Sequence, residues 1–187
     1  MPFDAGAVPF PSLPSVAWKS ASSVPFSSAH LTAVEPALRD PETLHGTRIP
    51  EPPPPGFAAT WLGFYEDGRR DGTREAFAIE APDGSLLGLA VAPRIEREAQ
   101  TAELGYIVMP EVRGRGVATH ALRLLTGWAF ERGDLVRLEL LIATTNEPSR
   151  KVAARCGFTR EGVLRSLYFK QGRRQDTELW SRLATDP

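Results

Sequence analysis

The sequence is poor in the residues that build covalent cross-links and metal sites. Its 187 residues include one cysteine, Cys156, and three histidines. A single cysteine excludes an intrachain disulfide framework, and these few residues do not show the spacing typical of metal ligands. The sequence therefore predicts a protein of a reducing compartment that functions without a metal.

An excess of one charge and long apolar runs are also missing. The 22 Lys and Arg residues face 23 Asp and Glu residues, which leaves a formal net charge of −1. No global positive field would attract nucleic acid or an acidic membrane surface. No stretch approaches the roughly 20 apolar residues that span a bilayer, and the N-terminus does not read as a signal peptide. We expect a soluble, cytoplasmic protein with no nucleic-acid or membrane partner.

Proline is present in quantity, but it is concentrated at one end. Residues 1–56 hold most of the 17 prolines, including the run from Pro52 to Pro55. Because proline breaks helices and removes ladder donors, this part is predicted to be largely irregular, with the run as a stiff surface connection and not a polyproline-II ligand. The length supports one core, so we expect one domain over 1–187, with 1–56 as an atypical N-terminal portion.

Regular periodicity begins at Phe57. Apolar residues at helical spacing predict a short amphipathic helix that starts there and ends in the polar stretch 66–72. Two apolar segments, 75–81 and 86–92, flank a turn that contains Asp83 and Gly84, which predicts a β-hairpin.

A strand–helix–strand crossover follows the hairpin. The pattern predicts a strand over 101–109, a helix over about 116–132 and a buried strand over 136–142. A further helix is expected between Pro148 and Gly157, because proline suits a first helical turn and glycine a C-terminal cap. Two closing strands are expected at 158–169 and 176–183.

A glycine-rich loop joins the strand that ends near Met109 to the following helix. The first amides of a helix lack internal partners and lie at the positive end of its dipole, so they can converge on phosphate oxygens. The glycines allow close approach of the backbone, and the arginines can pair with phosphate. The predicted anion site comprises Arg113, Gly114, Arg115, Gly116, Val117, Ala118 and Thr119. Taken alone, these glycines are equally consistent with a simple turn.

The loop resembles a known signature. Arg113-x-x-Gly116-x-Ala118 is similar to the R/Q-x-x-G-x-G/A pattern of the GNAT superfamily, and the segment 139–158 is similar to the strand, Asn-x-x-Ser helix and Gly-Phe step of its RimJ/RimL-like branch. The resemblance covers roughly 57–183. It implies the α+β GNAT acyl-CoA N-acyltransferase fold: a mixed, mostly antiparallel twisted sheet of about six to seven strands, flanked by helices, with a V-shaped splay between strands 4 and 5.

The same resemblance implies acetyl-coenzyme A as cosubstrate and no metal. The backbone of Ile107 and Val108 would bind the pantetheine arm, the loop 113–119 would bind the pyrophosphate, and Asn146 would hydrogen-bond the arm from the opposite side. Asn146 has a second interpretation as a helix N-cap, and the two roles are compatible.

Two side chains are candidates for proton transfer. Glu103 matches a position where many GNAT proteins carry a Glu, so we expect it to act as the general base, the alternative being a solvated strand carboxylate. Ser149 is expected to contact the coenzyme and to serve as a possible proton donor, with helix capping as the alternative. The tyrosine that several GNAT enzymes use is absent, since Ala153 stands in its place. Cys156 is interpreted as a buried core thiol.

These expectations converge on an N-acetyltransferase. Its acceptor would be a protein N-terminal α-amine or a small-molecule amine, attacked directly in a ternary complex, and the protein would be a monomer or a homodimer. The alternative is a catalytically silent acyl-CoA-binding sensor or interaction module, which would keep the coenzyme site without competent acid–base chemistry.

Overall fold

The structure, a computed structural model, describes residues 21–170 and 172–187. These residues contain seven strands, β1 (Ser22–Pro25), β2 (Glu75–Glu80), β3 (Leu86–Glu96), β4 (Thr101–Val108), β5 (Arg137–Ala143), β6 (Thr159–Lys170) and β7 (Arg173–Leu183). They also contain five α-helices, α1 (Leu31–Arg39), α2 (Pro41–Gly46), α3 (Phe57–Asp71), α4 (Val117–Glu131) and α5 (Glu147–Arg155).

The seven strands form one mixed sheet in the order β1-β2-β3-β4-β5-β7-β6. Every neighbouring pair is antiparallel except β4 and β5, which are parallel and are joined through α4. A parallel pair requires such a crossover connection, as the alternation of strand and helix patterns predicted. The expected sheet, mixed and mostly antiparallel, is confirmed.

The parallel pair is short, and this creates the opening that positions the site. Strands β4 and β5 pair only at Thr101↔Arg137, Ala102↔Leu138 and Glu103↔Glu139. Beyond Glu103 the two strands separate, and each has one edge that pairs with no other strand of residues 21–170 and 172–187. This separation is the expected splay between strands 4 and 5.

Burial follows the apolar periodicity. Helix α4 packs against β3 and β4 through the buried residues Val117, Leu124, Leu125 and Trp128. The hairpin of β2 and β3, the helix before Gly157 and the closing pair of β6 and β7 all form where the patterns predicted them. Helix α3 begins at Phe57 and ends within the polar stretch 66–72, as predicted, where Gly72 takes the left-handed conformation at φ 72°.

The expectation that residues 1–56 are largely irregular is wrong for 22–46, which form β1, α1 and α2. Pro41 begins α2 at a position where no amide is needed, and Asp40 caps that helix by accepting from the amide of Thr43. Pro36 lies inside α1 and removes one hydrogen bond, but Val34 and Leu38 on the same helix are buried in the core. Residues 1–20 lie outside the described part of the chain.

No helix among the described residues is both long enough and apolar enough to cross a bilayer.

Candidate functional site

A cavity of about 700 Å³ opens where β4 and β5 separate. Residues from both strands line it: Glu103 to Ile107 on one side and Leu140 to Ala143 on the other. The remaining walls come from α3, from the segment 45–51 that includes the end of α2, from the start of α5, from the end of β6 and from residues of β3 and β7. The cavity therefore lies in the splay.

Every second residue of β4 directs its backbone N–H and C=O groups toward this gap. The amide of Met109 donates to the carbonyl of Leu87 on β3, at 3.0 Å. Since residues of an antiparallel ladder alternate in the direction of their hydrogen bonds, Ile107 also bonds toward β3, whereas Tyr106 and Val108 direct their N–H and C=O groups toward β5. The N–H and C=O groups of Val108 are therefore available at the gap, where the pantetheine arm is expected. The N–H and C=O groups of Ile107 are already bonded to β3.

Glu103 lies at the apex of the splay. It is 6% exposed and lines the cavity, so it is not a solvated strand carboxylate. The guanidinium of Arg48 donates to Glu103 Oε1. Burial raises the pKa of Glu103, and the nearby charges of Arg48 and Arg94 oppose that increase. The result is a buried carboxylate whose proton affinity is above that of an ordinary glutamate.

Two tyrosines share the surroundings of Glu103. The Arg48 guanidinium lies 5.4 Å from the ring centroid of Tyr168, within the range of a cation–π contact. Burial raises the pKa of both Tyr65 and Tyr168, and Arg48 and Glu103 act electrostatically on each phenol. Both tyrosines line the cavity and remain protonated at neutral pH.

The N-terminus of α5 forms another part of the wall. Asn146 is the N-cap, and its Oδ1 accepts from the amide of Ser149 at 3.1 Å. The capping role of Asn146 is therefore present, while its Nδ2 faces α2 so closely that a Cβ on Gly46 would lie 2.9 Å from it. Ser149 lines the cavity and supplies only its amide to the cap. Its hydroxyl is not the capping group.

Tyr106 was not singled out by the sequence, although it belongs to the site. It lines the cavity, and its hydroxyl is buried without a hydrogen bond of standard geometry among the described residues. Burial raises the pKa of Tyr106 to about 12, although the adjacent Ser149 side chain lowers it. Its position on β4 next to Gly105 is the one signal in the sequence for its role. Its placement near Ser149 depends on the fold.

The glycine-rich loop leads directly into the N-terminus of α4. Gly116 is the N-cap of α4 at φ 89° and Gly114 has φ 73°. Both backbone conformations are in the left-handed region that favours glycine. No side chain among the described residues caps the helix, so the first amides of α4, Val117 to Thr119, have no capping partner there. Arg115 is exposed and makes no ion pair with the described residues.

Arg113 is placed differently from the expectation. Its guanidinium donates to Asp40 Oδ2 at 2.5 Å, to Glu42 Oε2 at 3.0 Å and to Thr43 Oγ1 at 2.9 Å, all at the start of α2. These contacts pair its charge with two carboxylates and tie the loop to the N-terminal helices. The sequence could not show this, because the partners lie about 70 residues away.

Cys156 is 3% exposed, and its Sγ lies 3.6 Å from the carbonyl oxygen of Thr119. Burial raises the pKa of this thiol, which makes it a poor nucleophile. The prediction of a buried core thiol is confirmed. Within residues 21–170 and 172–187, no cluster of three or more His, Cys, Asp or Glu side chains has a metal-binding arrangement.

A splayed β4–β5 pair, followed by an uncapped glycine loop and a helix, is the arrangement found in one class of acyltransferases. Residues 24–159 match the family model described as the acetyltransferase (GNAT) domain. This chain belongs to the GNAT acetyltransferase family.

Two bacterial N-acetyltransferases are similar to this chain in sequence. YdaF of Bacillus subtilis, which is named as a proposed ribosomal N-acetyltransferase, is 37% identical over 101 residues, covering 54% of this chain and 55% of YdaF. The spermidine N(1)-acetyltransferase of Escherichia coli K12 is 30% identical over 109 residues, covering 58% of each protein. The match thus spans little more than half the length of either relative.

Solved structures share the fold at low identity. RimL, a ribosomal L7/L12 α-N-protein acetyltransferase solved with coenzyme A, superimposes with a TM-score of 0.80 and 19% identity, over 87% of this chain and 93% of RimL. The spermidine N-acetyltransferase of Vibrio cholerae, solved with coenzyme A and spermine, superimposes with a TM-score of 0.79 and 22% identity, over 89% of this chain and 96% of that protein. RimL and YdaF are consistent with the RimJ/RimL-like branch predicted from the sequence.

Proposed function

We propose that this protein transfers the acetyl group of acetyl-coenzyme A to a primary amine by direct attack in a ternary complex. The position of Glu103 supports this most: a buried carboxylate with a raised pKa faces the cavity where β4 and β5 separate. A carboxylate in that state is suited to accept a proton near neutral pH. Structural relatives that contain coenzyme A have the same fold.

Coenzyme binding is assigned to the two sides of the splay. The amides that follow Gly116 would hold the pyrophosphate, with Arg115, which has no ion pair among the described residues, as the cation of the loop. Val108 and Tyr106 direct backbone groups into the gap, so the pantetheine arm would bind there like an added strand. From the α5 side, Asn146 would donate from Nδ2 while its Oδ1 remains in the helix cap.

The transfer itself needs a proton acceptor, a site for negative charge and a proton donor. The amine nitrogen forms a bond to the thioester carbonyl carbon, and Glu103 takes the proton that the nitrogen loses, directly or through one water. The Val108 amide would donate to the carbonyl oxygen as it becomes negative. When the carbon–sulfur bond breaks, the thiolate leaves and takes a proton from a nearby hydroxyl.

Tyr106 and Ser149 provide the hydroxyls for this last step. We assign the proton donation to Tyr106. Ser149 would contact the coenzyme and orient the Tyr106 hydroxyl. A phenol is a stronger acid than an aliphatic alcohol, and the pKa of about 12 keeps Tyr106 protonated at neutral pH.

Replacement of Tyr106 by Phe should lower kcat by about 10²-fold, because it removes the proton donor but keeps the ring. The affinity for acetyl-coenzyme A should change by less than about threefold, since the phenol acts on the leaving thiolate and not on the bound cosubstrate. Steady-state kinetics and calorimetry would measure the two effects. Ser149→Ala is the comparison variant, and a larger loss of kcat there would transfer the donor role to Ser149.

Two measurements test the proposed function. Calorimetry should detect micromolar binding of acetyl-coenzyme A, and thiol release should appear on addition of a mixture of primary amines. Absence of binding would overturn the proposal. Binding without turnover over a broad set of amines would instead support a catalytically silent acyl-CoA sensor.

A further inference from the structure

An aromatic surface forms part of the cavity lining. Helix α3 contributes Phe57, Trp61 and Tyr65, spaced one turn apart on the same face. The Phe57 and Trp61 rings are stacked with centroids 6.3 Å apart, and Trp61 meets Tyr65 edge to face at 5.1 Å. The end of β6 adds Tyr168 and Phe169. We call these five residues the aromatic wall.

The charges that line the cavity balance. Among the described residues, Glu51 and Glu103 are its carboxylates, and Arg48 and Lys170 are its permanent cations. Arg48 is already paired with Glu103. The Lys170 Nζ donates to the carbonyl of Thr47 at 2.6 Å and lies close enough to Glu51 to be influenced by its charge.

This balance is unfavourable for a polycation. A second ammonium group on an acceptor would enter a cavity in which each carboxylate already has a cation nearby. It would approach Arg48 or Lys170 without a spare negative partner, and like charges at short distance oppose binding. A single amine avoids this cost because it loses its proton before it attacks.

We propose that the acceptor is an amine with one positive charge attached to an aromatic group, and that Arg48 is the residue that excludes polycations. This inference rests on the proposed function. The amine would reach Glu103 while its aromatic group packs on the aromatic wall, where planar rings bury large areas. Either a free arylalkylamine or a peptide with an aromatic first residue carries this chemistry.

Three matched pairs of amines separate these features. Butylamine and putrescine differ by one ammonium group, phenethylamine and butylamine differ by the ring, and Phe-Ala-Ala and Ala-Ala-Ala differ by the ring on a peptide. We expect kcat/KM to be roughly 10-fold or more higher for butylamine than for putrescine, and for each aromatic amine than for its aliphatic partner. Whichever of phenethylamine and Phe-Ala-Ala has the higher kcat/KM shows whether the acceptor is a free arylalkylamine or a peptide.

The outcomes that contradict the inference are distinct. Putrescine at or above the rate of butylamine would overturn the exclusion of polycations. Equal rates for ring-bearing and ring-free partners would overturn the role of the aromatic wall. If acetyl-coenzyme A binds but none of these amines, nor spermidine, is acetylated, the proposed function fails together with the inference.

Variants locate the selectivity in named side chains. Arg48→Gln should raise the putrescine-to-butylamine ratio of kcat/KM by about 10-fold, because the repelling charge is gone. Trp61→Leu should lower the phenethylamine-to-butylamine ratio by a similar factor. Each ratio is taken within one variant, so a general loss of active protein cancels. Arg39→Gln removes an exposed ion pair with Glu35 on α1 and should leave both ratios unchanged. Unaltered ratios in Arg48→Gln and Trp61→Leu would contradict the assignment.

Discussion

Replacement of Glu103 by Gln should lower kcat by at least about 10²-fold, because the amide keeps the size and the hydrogen bond to Arg48 but cannot accept a proton. Calorimetry should show acetyl-coenzyme A bound with nearly unchanged affinity, since the carboxylate acts on the acceptor amine. Turnover equal to the unmodified protein would remove Glu103 as the base.

The pH profile gives an independent test of the same residue. Burial raises the pKa of Glu103, and only the ionised carboxylate accepts a proton. The rate constant kcat/KM should therefore decrease as the pH is lowered through this raised pKa, with an acid limb above the usual range of a glutamate. The Glu103→Gln variant should lose that acid limb and retain the increase of rate with pH that reflects deprotonation of the acceptor amine.

Glu139 provides the matched control. It lies opposite Glu103 in the β4–β5 ladder, but it accepts from Arg137 at 2.8 Å and does not line the cavity. Glu139→Gln should keep kcat within about threefold of the unmodified protein, because no proton transfer is assigned to it. A loss equal to that of Glu103→Gln would show that the effect arises from the charge of the ladder and not from base catalysis.

Substitution of Gly116 by Glu should weaken acetyl-coenzyme A binding by at least about 10²-fold. Gly116 has φ 89°, so any side chain there is strained, and a carboxylate would stand beside the amides assigned to the pyrophosphate. No atom of the described residues lies within 4 Å of a Cβ at this position, so the fold itself should tolerate the change. Calorimetry measures the affinity, and thermal unfolding checks the fold.

Gly56 offers a matched control for this substitution. It is the N-cap of α3 at φ 72°, and its Cβ position is equally open. Gly56→Glu imposes the same backbone strain and the same charge at a different helix, so acetyl-coenzyme A should bind as it does to the unmodified protein. If both variants lose binding equally, the loop 113–119 is not the pyrophosphate site.

The elements from the β2–β3 hairpin to α5 could be predicted from local sequence patterns. The hairpin of β2 and β3 follows from two apolar segments around Asp83 and Gly84, and the positions of α4 and α5 follow from their apolar periodicity, proline and glycine. The high proline density of residues 1–56 does not predict the strand and the two helices that form between 22 and 46. Proline at a first helical position costs no hydrogen bond, and burial in the core compensates for Pro36.

The environment of the candidate site depends on long-range contacts. Arg48 reaches Glu103 across 55 residues, and Arg113 meets Asp40 across 73. No local pattern encodes either pair. The aromatic wall likewise joins α3 to the end of β6, which lies about a hundred residues later in the chain, so its composition emerges only when the sheet is assembled.

From Phe57 onward, the helices, the strands and the glycine-rich loop could be predicted from sequence alone, because apolar periodicity, glycine and proline act through the local backbone. It also identified Glu103 and Asn146 as polar groups on the right strand and helix. Long-range packing sets which backbone groups of β4 face the gap, where the Arg113 guanidinium is held and which charges surround Glu103. Those properties depend on strand pairing and burial, which bring together groups that are distant in the chain.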